Sequence, residues 1–502
     1  MKTKFAIKIR NCLKNNYLFI ILISLFFLAK LVYLLKVHVI IWDEAVYMGM
    51  GKYLFSKGAV GFWELIRPVG LPLILGAIWK LKLDYIFFSE LVSIFFSLGC
   101  ISLVYLTGKK LLNKQMGLVA AVILSITSVF FLYTSYILTE IPSTFFILLG
   151  VYIYISRKNL ILTGIMCGIG AIFKFPQGLI LLSFGLAFFI SLLTNKNIKS
   201  FFKKTFLFSL GFVLIHIPLL VFNYVMYHKE TSKIYHAVFR PWILGAWHQG
   251  NPAQSVITGT FISYLYNLFY YVIHLFKENT LLFFIIPGLI IFFRKKLYKK
   301  EGFCIILMIF LSYFVYFTYI LNKQTRFLIM FLPYASLIAA YGFYHYFTHI
   351  KKDRIRILIV VFVIISLAGI ISRDLYYYNW RANSEPPIVK NYYKFFIGKE
   401  IKGPILTTDP VPVSYVDAKF VPLYFSDEIA YQIYISESKN SFATIFSPES
   451  FYCSEDDIGC RNRVKNISNM IQNNNILVFS EVYNNQAYYI YVNRNSEISS
   501  VK

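Results

Sequence analysis

Eleven apolar runs of 15 to 24 residues punctuate this chain, at roughly 17–40, 85–107, 116–135, 139–156, 160–174, 176–194, 204–226, 279–294, 302–321, 326–348 and 355–372. A helix needs about 20 mostly apolar residues to cross the hydrocarbon of a bilayer. So many long runs predict a polytopic membrane protein, all-α through this part, with about eleven transmembrane helices. Hydrophobic residues make up 58% of the chain and charged residues 15%, against about 25% charged in a soluble domain. Two places blur the count. Phe175-Pro176 breaks the fifth and sixth runs into a tight hairpin, and Tyr264 to Leu275 is also apolar ahead of the eighth.

The net charge of +26 would suggest a nucleic-acid partner in a soluble protein. Here the basic residues sit in GKKLLNK, SRKN, TNKNIKSFFKK, FRKKLYKKE and HIKKDRIR, all between apolar runs. Alternation from a cytoplasmic N-terminus puts every one of these loops in the cytoplasm, as the positive-inside rule requires. The charge is thereby accounted for, and no nucleic-acid motif is present. The basic start (Lys2, Lys4, Lys8, Arg10, Lys14) precedes a run of full length with no small-residue cleavage site, so the first run is expected to stay as a span. The expected location is the cell membrane, multi-pass, with the C-terminal region extracytoplasmic.

Two domains are expected. Residues 1–372 form the transmembrane domain, with outer loops 42–84 and 227–278. Residues 373–502 form a small outer α/β domain. There KGPILTTDP, SFATIFS, NNILVFSEVY and QAYYIYVN read as short strands, and EDDIGCRNRVKNISNMIQ as a helix before a strand. In loop 42–84, DEAVYMGMGKYLFSKG reads as a short helix. RPVGLPLILGAIWKL reads as an apolar helix lying in the interface. Cys453 and Cys460, in a polar segment outside the cytoplasm, are candidates for a disulfide. Cys12, Cys100, Cys167 and Cys304 lie in or beside apolar runs, and nothing groups them as metal ligands.

The residues that could carry chemistry share a side of the membrane. Asp43 and Glu44 emerge straight after the first run, where a carboxylate is costly unless it faces water, protein or a ligand. They suit a general base or a metal ligand. A helix cap by Asp43 accounts for the same position. Arg67, beside a proline, has the planar fork that holds phosphate, although headgroup snorkelling explains it as well. Glu140 lies between the third and fourth runs, as a site carboxylate or as a helix-start residue favoured by the dipole. Lys174 ends the fifth run and Arg326 begins the tenth, each alone an ordinary anchor. Loop 227–278 holds His228, His236, Arg240, Trp242, Trp247 and His248, aromatics with cations that suit a sugar or lipid-phosphate cleft. The histidine spacing matches no zinc signature.

The order of these motifs resembles the GT-C superfamily of membrane glycosyltransferases, in the branch of protein O-mannosyltransferases and the aminoarabinose transferases of lipid A. The likeness runs over roughly residues 17–350. An Asp-Glu pair followed by a helical tyrosine is matched by WDEAVY with Tyr47. A basic-proline segment is matched by RPVGLPLILGAIWKL, and a second acid by Glu140 in TEIPSTFFILLGVYI. A lysine at the end of the fifth span is matched by Lys174 in GIGAIFKFPQGLILL. A later span opening with arginine and an aromatic is matched by Arg326 in RFLIMFLPYASLIAAYG.

The resemblance implies a polyprenyl-phosphate sugar donor, undecaprenyl or dolichyl, within the membrane lipid. It implies transfer to a hydroxyl on a protein, lipid or glycan at the outer surface, with inversion. Asp43 would be the principal catalytic carboxylate, Glu44 its neighbour and Glu140 the second acid. Arg67, Lys174 and Arg326 would bind the donor phosphate. Tyr47, His236, Arg240, Trp242 and His248 would line the substrate cleft. A divalent metal is compatible but not required, and no other cofactor is implied. Position 140 is Glu where the family often has Asp, and position 67 is Arg where relatives often have Lys; both keep the charge and change the reach. The competing class is a secondary transporter or flippase for a lipid-linked solute. Such proteins bind near the midplane between inverted repeats, and the two halves of this chain do not look alike.

Overall fold

The computed structural model describes residues 2–35, 40–64, 67–227, 261–320, 322–350, 353–383, 392–424, 427–451, 453, 457–483 and 486–494. His228, His236, Arg240, Trp242, Trp247 and His248 lie outside the described residues. The helices in chain order are α1 (Lys2–Leu34), α2 (Trp42–Phe55), α3 (Gly70–Lys80), α4 (Tyr85–Leu111), α5 (Lys114–Ile126), α6 (Ser128–Tyr133), α7 (Glu140–Arg157), α8 (Leu160–Phe173), α9 (Ile180–Asn195), α10 (Ile198–Tyr227), α11 (Phe261–Glu278), α12 (Ile285–Arg294), α13 (Glu301–Tyr319), α14 (Leu332–His349), α15 (Asp353–Asn383), α16 (Asp427–Glu437) and α17 (Ile458–Asn474). The strands are β1 (Ile405–Thr407), β2 (Phe420–Pro422), β3 (Ala443–Phe446), β4 (Asn475–Tyr483) and β5 (Gln486–Asn493).

The chain divides into two compact units. The first holds 1–36, 90–247 and 254–379; the second holds 37–89, 248–253 and 380–502. The segment between the first two apolar runs thus belongs with the C-terminal region.

In the first unit the expected membrane architecture is present, but the count of about eleven spans is not confirmed. Among the described residues, six helical stretches are long and apolar enough to cross: Asn16–Leu34, Tyr85–Leu111, Phe175–Asn195, Ile198–Val221, Glu301–Tyr319 and Asp353–Asn379. A seventh is counted if Phe261–Glu278 and Thr280–Arg294, bent by 115°, form one span. The difference lies in the buried runs. The run 116–135 breaks at Thr127 into α5 and α6, and 160–174 becomes the 14-residue α8. At 1.5 Å per residue α8 is about 21 Å long, short of a hydrocarbon core of about 30 Å. Hydropathy reads protein-buried and lipid-facing helices alike. The core is aromatic, with Phe184 stacked on Phe208 at 4.4 Å and Phe146 on Phe173 at 5.3 Å between ring centroids.

In the second unit five strands pair in the order β2-β1-β3-β5-β4. β2, β1 and β3 are parallel, while β5 runs antiparallel to β3 and β4. The four strands and the helix expected from sequence are all present; β2 is an addition that three residues do not announce. Helices α16 and α17 cover the sheet through Ala430, Tyr434, Ile467 and Ile471. The segment after α2 joins the edge of the same sheet: Gly61 N–H donates to Ala418 O (2.8 Å), and Phe420 N–H donates to Gly61 O (2.9 Å). Gly61 has φ +79°, and a Cβ there would lie 2.2 Å from Gly49 O, so only glycine fits.

Candidate active site

Two ionic clusters hold the sequence-predicted residues, one in each unit. In the second unit, α2 begins at Trp42 directly after an extended Ile41. Glu44 sits at its third position, fully buried, and its Oε2 accepts the Ile41 N–H at 2.7 Å. A carboxylate there satisfies an orphan donor and meets the positive end of the helix dipole. The cap weighed for Asp43 therefore belongs to Glu44. Asp43 turns instead to Arg67, with Oδ1 2.8 Å from a terminal guanidinium nitrogen.

Arg67 has a second carboxylate partner. Its Nε donates to Glu64 Oε2 at 3.1 Å, and its guanidinium lies 5.6 Å from the centre of the Tyr47 ring. Glu64 is 2% exposed, Asp43 18% and Arg67 23%, so the two outer members keep access to a ligand while the third is shut in. Burial works against the Arg67 charge. Asp43, Tyr47 and Glu64 together outweigh it and hold the guanidinium pKa well above the ordinary arginine value. Glu64 Oε1 accepts the Tyr424 hydroxyl at 2.6 Å.

Sequence reasoning passed over Glu64 and Tyr424. The signal for Glu64 was present, since ELIR places acid and base three residues apart. For Tyr424 there was none, because its partner is 360 residues away.

A second buried cation braces this region. Lys52 of α2 is 2% exposed and donates to Val416 O at 3.2 Å, with Asp417 Oδ1 at 2.8 Å. Burial lowers its pKa against the pull of Asp417. Trp79 of α3 donates to the same Asp417 oxygen at 3.0 Å.

In the first unit Glu140 opens α7 and is 1% exposed. Its Oε1 lies 2.8 Å from Lys174 Nζ and 3.3 Å from Arg326 Nε. Its Oε2 is buried and has no hydrogen-bond partner among the described residues. Lys174 reaches it because α8 stops at Phe173: Lys174 is extended, and a 3-10 turn through Pro176 follows. Arg326 comes from the 3-10 turn Thr325–Met330 ahead of α14, and it also bonds Gln324 Oε1. Three breaks in apolar helices thus supply the three ions. Three positions before Arg326, Lys323 donates to Phe317 O (2.7 Å) and Thr318 O (2.6 Å) at the end of α13. Among the described residues no group of three or more His, Cys, Asp or Glu gathers to hold a metal ion. Cys453 and Cys460 are joined as a disulfide, with Cα atoms 5.5 Å apart.

Residues 75–231 match the family model described as dolichyl-phosphate-mannose-protein mannosyltransferase. Both Glu140 and Lys174 fall inside that match. No curated protein matches the chain by sequence. Among solved structures the chain is similar to ArnT from Cupriavidus metallidurans bound to undecaprenyl phosphate, with TM-score 0.63 and 10% identity over 95% of this chain and 98% of that one. It is also similar to the Archaeoglobus fulgidus oligosaccharyltransferase tethered with an acceptor peptide, with TM-score 0.51 and 12% identity over 87% of this chain and 70% of that one. The structure of AglB from the same organism, in complex with an inhibitory peptide and a dolichol-phosphate, gives TM-score 0.51 and 10% identity with the same coverage. The expected fold is borne out: it is the fold of these GT-C neighbours, in a multi-pass membrane protein.

Proposed function

We infer that the protein is a GT-C glycosyltransferase that moves a sugar from a polyprenyl-phosphate donor to an acceptor hydroxyl on the extracytoplasmic side of the membrane. The observation that carries the reading is the buried Glu140 held between Lys174 and Arg326, two of the three groups lying within the mannosyltransferase match. Two cations fixed on one buried carboxylate place positive charge in a site short of water, where it stabilises an anion best. The donor phosphate supplies that anion, and Glu140 orients the two cations toward it. That the neighbouring folds were solved with undecaprenyl phosphate and with dolichol-phosphate supports a lipid-phosphate ligand.

The reaction is an inverting displacement at the sugar C1. The acceptor oxygen attacks C1, and the bond from C1 to the phosphate oxygen breaks on the opposite face. Asp43 takes the acceptor proton, as the general base. Charge grows on the leaving phosphate, and fixed cations stabilise it best in a site short of water; Lys174, Arg326 and Arg67 are the cations proposed for this. Glu44 holds the start of α2 and so the position of Asp43.

Purified protein should bind undecaprenyl or dolichyl phosphate and release it from a cognate sugar-charged donor as an acceptor is glycosylated. Passage of a small solute through proteoliposomes, with no binding of either lipid phosphate, would replace this reading with the transporter. The orientation has its own check. A membrane-impermeant thiol reagent applied outside should label a cysteine introduced near Asn440 and miss one near Lys299; the reverse labelling would invert the proposed topology.

A further inference from the structure

Tyr424 follows β2 in the C-terminal sheet, more than 350 positions from the residues it meets. The Trp42 ring packs against it in a T-shaped pair with centroids 4.7 Å apart, and Phe62 forms a second T-shaped pair at 6.4 Å. These contacts fix the ring and aim the hydroxyl. It donates to Glu64 Oε1 at 2.6 Å; Glu64 Oε2 accepts from Arg67 Nε at 3.1 Å; an Arg67 terminal nitrogen pairs with Asp43 at 2.8 Å. Burial raises the phenol pKa, the neighbouring Glu64 charge raises it further, and Arg67 opposes this, so the proton stays on Tyr424 and the direction of donation is set.

A buried carboxylate with one oxygen bonded to a rigid phenol has little freedom left in its other oxygen. Arg67 is a long, rotamer-rich side chain, and a planar fork orients well only when its partner is fixed. Without the phenol, Glu64 would turn, and the guanidinium with it.

We propose that Tyr424 is a positioning residue of the transferase site: through Glu64 it sets the orientation of Arg67, and through Arg67 that of Asp43. The C-terminal domain is on this view part of the catalytic apparatus and not an appendage. The inference rests on the transferase reading above for its kinetic consequence, but its geometric content is testable without any donor.

The test uses full-length Tyr424→Phe, which keeps both ring contacts and removes only the hydroxyl. Phenylglyoxal labelling of Arg67, followed by peptide mass spectrometry, should speed up about threefold or more in the variant while it remains folded, with only a modest fall in melting temperature from the lost hydrogen bond. Glu64→Gln should show the same acceleration, and the double variant no more than either alone, because all act through one chain of bonds. With a cognate donor, kcat should fall about tenfold while the donor KM stays within about twofold, since the hydrogen bond serves a charged group that acts on the leaving phosphate. Labelling of Arg67 at the wild-type rate in Tyr424→Phe overturns the proposal. So does a loss of kcat that scales with a fall in melting temperature, which is the mark of a purely structural tyrosine. Absence of transfer by the wild type counts against the transferase reading and leaves the labelling result to decide the positioning.

Discussion

The two ionic clusters each join carboxylates to cations, in different surroundings. Around Arg67 two carboxylates face one guanidinium. Around Glu140 a lysine and an arginine face one carboxylate. Exposure differs too, because Asp43 keeps 18% of its side-chain surface while Glu140 keeps 1%. On the proposed reading, cations fixed in a dry site stabilise a phosphate, and a carboxylate with some access to solvent suits a group that must accept a proton. Binding then falls mainly to Lys174 and Arg326 and proton transfer mainly to Asp43, a sharper division than one that gives all three cations the same task.

The largest effect should come from Asp43→Asn, which keeps the shape and removes the base. Turnover should drop about 10²–10⁴-fold, with donor binding little changed when read by a lipid-phosphate binding assay. Near-normal turnover would leave proton transfer to another carboxylate and erase the contrast between the clusters.

Next come the cations. Lys174→Ala and Arg326→Ala should each weaken polyprenyl-phosphate binding about 10–100-fold, the range of a charged hydrogen bond. Arg67→Ala should cost less in binding and more in turnover. If Arg67→Ala proved the most damaging to binding, this division of roles would be broken.

A smaller effect concerns Asp409, which adds acid to the environment of Tyr424. Burial pushes its carboxyl up to about 6, partly offset by the Val411 N–H that it accepts. A raised folded pKa means stability that is present below the ordinary aspartate value and lost as pH rises through about 6. Asp409→Asn should therefore stabilise the protein by about 1–3 kcal/mol at pH 7 and by nearly nothing at pH 4. Thermal unfolding in detergent across that range checks it; equal shifts at both ends would mean Asp409 ionises normally. The Cys453–Cys460 bridge closes a short loop, so its reduction should cost about 2 kcal/mol, read as a lower melting temperature with reductant that Cys453→Ser removes.

Local pattern carried a large share of this molecule. Apolar length and the basic loops were enough for a polytopic membrane protein, because the bilayer imposes the same demand on every segment. Period-two runs in 441–447, 474–483 and 486–493 were enough for strands of the C-terminal sheet, and DEAVYMGMGKYLF for α2. Charged residues standing alone in apolar surroundings named Asp43, Arg67, Glu140, Lys174 and Arg326, since each is expensive there without a partner.

What they pair with came from the tertiary structure alone. Glu140 meets cations 34 and 186 positions away, and Tyr424 meets Glu64 across 360; no local spacing encodes such contacts. The helix starts one residue ahead of Asp43, at Trp42, so Glu44 falls at its third position and takes the Ile41 N–H, while Asp43 pairs with Arg67. The number of continuous spans was likewise decided by packing. An apolar run such as 160–174 is equally content against lipid or against neighbouring helices, and hydrophobicity measures only the exclusion of water.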